Sequence, residues 1–179
     1  MVGGHPHTQK LSFGRIFINH QDVEFMVHDG WPSPVSQITD QGMVALKGLQ
    51  NLEELSLADT RVGDVGIREL SGLTKLQVLG LDRTLVTDEG MQHLRPLQNL
   101  TLLSLRLTAV SDKGIAQLSL LRRLRSLYFE RFATERPLTD DQKREWESGD
   151  RSMLGGGVAE LLKANPNLNV IWGPTRHDY

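Results

Sequence analysis

Residues 76–90 read Leu76-Gln-Val-Leu79-Gly-Leu81-Asp-Arg-Thr84-Leu-Val86-Thr-Asp88-Glu-Gly90, and the same pattern stands 24 residues earlier and 24 residues later. Working outward from it, four copies begin without a gap at Ile38, Val62, Val86 and Val110. Each copy repeats an aspartate (Asp40, Asp64, Asp88, Asp112) and then a glycine (Gly42, Gly66, Gly90, Gly114). Leucines follow in columns such as Leu46, Leu70, Leu94, Leu118 and Leu55, Leu79, Leu103, Leu127. Another column is Leu57, Leu81, Leu105, with Phe129 in the last copy. Thr60, Thr84 and Thr108 close three copies, and Phe132 takes that place in the fourth. So many columns in register are the mark of a repeat architecture, in which one unit cannot bury its apolar face until it stacks on a copy.

The columns have local physical meanings. In Leu52-x-x-Leu55-x-Leu57 the last two leucines alternate with Ser56, so they point to one side of a short strand and Ser56 to the other. The aspartate stands where a helix begins, and its carboxylate is expected to accept hydrogen bonds from the free amides of that first turn. The glycine is a poor helix former, and its recurrence implies close packing against the neighbouring coil. Gly48, Gly72 and Pro96 punctuate the helix end. One unit is therefore helix, turn, strand, turn.

The run Leu-x-x-Leu-x-Leu-x-x-Thr-x-Val-x-Asp-x-Gly resembles the leucine-rich-repeat superfamily, in its bacterial 24-residue form and more distantly the repeats of F-box adaptor proteins. The resemblance covers residues 38–132 and returns at 157–172, which looks like a closing unit. It implies an α/β fold: a right-handed solenoid, a short horseshoe with a parallel concave sheet and convex helices. The family often carries Asn or Cys where Thr60, Thr84 and Thr108 stand; a hydroxyl can serve the same buried turn. No F-box-like segment accompanies the repeats, so the resemblance does not extend to an adaptor role.

The expected organisation is a tail at 1–10, an N-terminal cap at 11–37, four repeats at 38–133 and a C-terminal cap at 134–179. In the N-terminal cap, Phe13, Ile16 and Ile18 precede an alternation of Val23, Phe25 and Val27 across a turn, which reads as a hairpin. In the C-terminal cap a charged insertion at 141–156 interrupts a fifth copy, with a short helix expected over 140–147 and a flexible Gly155-Gly-Gly157.

Net charge is -2, so no global field draws the chain to nucleic acid or an anionic membrane. Cysteine is absent, which removes disulfides and thiolate chemistry. No apolar run approaches the roughly 20 residues of a membrane span, and Met1-Val-Gly-Gly-His-Pro-His is unlike a secretory leader. A cytoplasmic monomer is the resulting expectation. His5 and His7 lack a third ligand, no phosphate loop or nucleophile motif occurs, and no cofactor, metal or catalytic residue is expected. The chain is accordingly not expected to be an enzyme.

Strand alternation places Glu54, Ser56, Ala58, then Val78, Gly80, Asp82, then Leu102, Ser104, Arg106, then Ser126, Tyr128, Glu130 on the concave side, facing solvent. Asp59, Arg83, Leu107 and Arg131 form a rim just beyond. Aromatic and guanidinium groups around an apolar centre suit a protein hot spot. The expected partner-binding residues are therefore Arg83, Leu102, Arg106, Leu107, Tyr128 and Arg131, in a protein-interaction module. The alternatives are a spacer or fragment of a longer array with no binding of its own and, more remotely, an enzyme. The basic cluster Arg122, Arg123, Arg125, Arg131, Arg136 is read as a solvated mixed-charge surface, because Glu130, Glu135, Asp140 and Asp141 lie close in sequence. Nucleic acid and membrane are not expected partners.

Overall fold

The structure, a computed structural model, describes residues 9–12, 37–130 and 156–172. Six parallel strands form one sheet in chain order: β1 (Gln9–Ser12), β2 (Leu52–Ser56), β3 (Val78–Gly80), β4 (Leu102–Arg106), β5 (Ser126–Glu130) and β6 (Asn169–Trp172). A short helix precedes each of the last five: α1 (Asp40–Met43), α2 (Asp64–Arg68), α3 (Asp88–Met91), α4 (Asp112–Ala116) and α5 (Gly156–Ala164). The first four tighten directly into a turn of 3-10 helix, as at Val44–Gly48 and Glu69–Gly72. The expected α/β repeat is thus present, with helices shorter and tighter than a full α-helix.

The 24-residue period sets the strand register directly. Glu54 pairs with Val78, Val78 with Leu102, and Leu102 with Ser126. Every leucine column therefore stacks on itself between sheet and helices. Leu55, Leu79, Leu103 and Leu127 are all buried, as are Met43, Ile67, Met91 and Ile115 on the helix side. This continuous core extends to Val158, Leu161 and Leu168 of the closing unit. The threonines act as expected. The hydroxyls of Thr60, Thr84 and Thr108 donate to the carbonyls of Leu57, Leu81 and Leu105 at 2.7, 2.6 and 2.8 Å, satisfying the buried turn after each strand.

The aspartates do not act as expected. Each begins a helix, but its carboxylate reaches forward into the next repeat. Asp40 accepts from the Gly63 amide at 2.6 Å. Asp64 accepts from both the amide (2.8 Å) and the hydroxyl (2.6 Å) of Thr87. Asp88 accepts from the amide and hydroxyl of Ser111, each at 2.6 Å, and from the Gly114 amide at 3.1 Å. The caps of α3 and α4 are instead Thr87 and Ser111, whose hydroxyls accept from Glu89 and Lys113 amides. The carboxylate thus ties one coil to the next with charge-assisted bonds.

This geometry explains the glycine column. A Cβ at Gly66, Gly90 or Gly114 would collide with the carboxylate of Asp40, Asp64 or Asp88 in the preceding coil. Gly42 differs: it is exposed, and among the described residues a Cβ there would meet only Ile38 Cγ2, at 3.8 Å.

Asp112 extends the ladder across the broken copy. Its carboxylate accepts from the amides of Gly157 (2.6 Å) and Val158 (3.0 Å). A Cβ at Gly157 would strike the Asp112 carbonyl. Gly157 stands 43 residues after Gly114, against 24 between earlier copies, so 19 extra residues are accommodated before the array resumes. Two sequence boundaries shift. Gln9 and Lys10, read as tail, begin β1, and Gly156, read as flexible linker, begins α5. The hairpin expected within 13–27 and the helix expected over 140–147 lie outside the described residues.

The two classes of glycine make opposite forecasts. Gly90→Ala should destabilise by about 2–4 kcal/mol, because the methyl group overpacks the contact and displaces Asp64 from its donors. Gly42→Ala should be neutral or stabilising by about 0.5–1 kcal/mol through helix propensity. Urea unfolding of both variants checks the contrast.

Candidate functional site

Strand alternation leaves a second sheet face turned away from the leucine core, and the expected binding residues lie on it. This face is not open to solvent as expected. Ser104 is 0% exposed, Tyr128 4% and Arg106 7%, and Ser56, Ala58, Val78, Asp82 and Leu102 are buried too. Val78, Leu102 and Tyr128 form a separate apolar cluster with Ile171 packed against it. Parallel strands roughly 4.8 Å apart stack residues of one column on their neighbours, so apolar side chains on this face can collect into a cluster of their own. Alternation assigns a side chain to a face of the sheet but does not say whether that face is wet.

A polar network adjoins the cluster. Asp82 accepts from the Ser104 hydroxyl at 2.5 Å and from the Arg106 amide at 2.8 Å, both on Oδ1. The Arg106 guanidinium lies 5.1 Å from the centre of the Tyr128 ring, within cation–π range. Burial raises the Asp82 carboxyl above the ordinary value of 3.8; the Ser104 and Arg106 hydrogen bonds and the Arg106 charge oppose the rise, while Asp59 adds to it. Burial also pushes the Tyr128 phenol up, against the pull of Arg106.

The rim has a different character. Asp59, Arg83 and Leu107 occupy one repeat position just past the strands, with φ of 58, 53 and 54°. All three are in the left-handed region that ordinarily favours glycine. Arg83 is exposed, and its guanidinium lies 3.4 Å from the Asp59 carboxylate. Leu107 is half-buried. Arg131, the next residue of that column, lies outside the described residues. The structure therefore brings Leu102, Arg106 and Tyr128 together beneath the sheet surface and leaves Arg83 and Leu107 at its margin.

Sequence reasoning missed the network, although its signal is in the columns: Asp82 and Arg106 hold one repeat position with opposite charge, and Ser104 lies two residues before Arg106. Also missed was an open groove of about 310 Å³ at the other end of the strands, lined by Glu53, Lys75, Gln77, Asn99, Thr101 and Arg123. Among the described residues no group of three or more His, Asp or Glu side chains could hold a metal, and no helix is long and apolar enough to cross a membrane.

Stacked 24-residue coils, each giving one parallel strand and sharing a leucine core, decide the fold. It is a leucine-rich-repeat solenoid. Residues 48–71, one full period, match the family described as Leucine Rich repeat. Among solved structures the chain is similar to an internalin from Listeria monocytogenes, at 22% identity and a TM-score of 0.46, over 78% of this chain and 38% of that one. The chain therefore spans well under half of that internalin's length, and the assignment does not rest on the likeness. No curated protein matches the chain.

The buried Asp82 carboxyl of this leucine-rich-repeat solenoid should make its stability depend on pH. Folding raises the Asp82 value, so the folded state holds its proton more tightly than the unfolded chain. Its contribution to stability is thus largest below 3.8 and falls as pH climbs from there through the raised folded value. Asp82→Asn keeps an acceptor and removes the titration. Relative to wild type, Asp82→Asn should gain stability as pH rises through that window, as read from urea midpoints across the acidic to neutral range. A constant difference would show that Asp82 titrates as a solvated carboxylate.

Proposed function

We propose that this chain is a protein-interaction module whose partner engages the rim at Arg83 and Leu107, with Leu102, Arg106 and Tyr128 shaping the platform beneath. Solenoids of this family in general use extended repeat surfaces for binding. The observation that carries the reading is the left-handed backbone at Arg83 and Leu107. A residue with a side chain costs about 1–2 kcal/mol in that conformation, and glycine removes the cost. Arg83 recovers little of it, since an exposed pair with Asp59 is worth at most about 1 kcal/mol. The turn imposes this conformation in all three copies, so a side chain kept there where glycine would relieve the cost is a reason to look for function at that position. Arg is among the residues most enriched in interface hot spots, and Leu107 supplies an apolar neighbour.

The test separates binding from stability. Arg83→Gly should leave the protein as stable as wild type, or more stable by up to about 1 kcal/mol. It should weaken partner binding by about 1–3 kcal/mol. Arg68→Ala, an exposed site on α2, is the control. Affinity capture from native lysate supplies the partner, and calorimetric titration of the three proteins supplies the affinities. Equal affinity for all three would remove the rim from the interface, and failure to capture any protein stoichiometrically would favour a spacer.

A further inference from the structure

The net charge of -2 conceals a segregation of charge between the two ends of the strands. At the strand-start edge, formed by residues 47–53, 71–77, 95–101, 119–125 and 163–169, stand Lys75, Arg95, Arg122, Arg123, Arg125 and Lys163, all exposed. Lys47 is also there, paired with Glu69 at 2.5 Å. The only carboxylate within these segments is Glu53. At the opposite end the carboxylates are occupied internally. Asp40, Asp64, Asp88 and Asp112 bind amides of the next coil, Asp59 faces Arg83, and Asp82 is buried.

Glu130 neighbours the basic cluster in sequence, but it ends β5 while Arg122, Arg123 and Arg125 precede that strand. At about 3.3 Å per residue, Arg125 and Glu130 are roughly 16 Å apart along the strand, beyond the screening length of about 8 Å at physiological salt. The mixed-charge surface expected here also drew on Glu135, Asp140 and Asp141, which lie outside the described residues; among the described residues this edge is basic.

The edge also contains the groove described above. Two cations line it from coils two repeats apart, each steadied by a carboxamide: Lys75 donates to Asn51 Oδ1 and Arg123 to Asn99 Oδ1, both at 2.7 Å. Arg123 and Lys75 are two strands apart, about 10 Å. Gln77, Asn99 and Thr101 line the space between them with amide and hydroxyl groups.

We infer that the strand-start edge is a second docking surface, whose occupant is an acidic segment of a partner protein lying across the groove between Lys75 and Arg123. Fixed cations meet its carboxylates, and the amides and hydroxyl between them meet its backbone. A nucleic acid fits less well, because no aromatic side chain stands in these segments to stack a base.

The experiment uses the full chain with two probes, a short fluorescent oligo-glutamate peptide and a single-stranded oligonucleotide of matched charge. Fluorescence anisotropy should show salt-sensitive binding of the peptide. Lys75→Glu and Arg123→Glu should each weaken it about tenfold, and Glu53→Gln should strengthen it. Arg83→Glu, at the other end of the strands, should leave it unchanged; that control keeps the edge distinguishable from the rim. Unaltered thermal unfolding of the exposed-site variants excludes misfolding. No peptide binding, insensitivity to both reversals, or tighter binding of the oligonucleotide than of the peptide would each overturn the assignment.

Discussion

The structure depends on one carboxylate used between coils rather than within one. A helix of four or five residues leaves most of its first amides without internal partners. Asp64 meets this need for the coil that follows it, through the amide and hydroxyl of Thr87, and Asp88 does the same for Ser111 and Gly114. The demand for a glycine follows, because the carboxylate occupies the space a Cβ would take. Leucine burial provides the driving force for stacking but is non-directional. The carboxylate is directional, and it sets which coil faces which.

The same link accounts for the tolerance of an interruption. Once Asp112 holds the amides of Gly157 and Val158, β6 pairs with β5 in register, Leu127 opposite Val170, whatever the length between. Nearest-neighbour stability of this kind lets a solenoid absorb an insertion without losing its core. The described chain leaves the sheet at the end of β5, the same end as the rim, while the basic edge lies at the other end.

Much of this was legible in the residues. Period, strand faces, buried leucines and threonine-capped turns all follow from columns in which one residue type recurs, because recurrence reports a shared environment. The direction of the aspartate bond was not legible. Asp88 at the start of a helix is equally consistent with capping its own turn or the next coil, and only coordinates distinguish them. The exposure of the second sheet face was misjudged for a related reason. Asp82 and Arg106 share one column and Ser104 and Tyr128 another, but the residue type changes from copy to copy, so recurrence did not announce a buried cluster. Charge segregation was hidden by proximity in sequence: Arg125 and Glu130 are five residues apart but at opposite ends of a strand.

Native-state amide hydrogen exchange tests the inter-coil carboxylate most directly. Amides at the start of a short helix ordinarily exchange quickly, whereas those of Ser111 and Gly114 are held by Asp88. In wild type both should exchange only through global unfolding. In Asp88→Ala both should exchange faster by about a hundredfold or more, equivalent to about 2.7 kcal/mol of lost local protection, while the Thr87 and Gly157 amides, held by Asp64 and Asp112, lose no more than the general drop in stability. Rapid exchange of Ser111 and Gly114 in the wild-type protein, or no difference between their loss and that of Thr87 and Gly157 in the variant, would contradict the account.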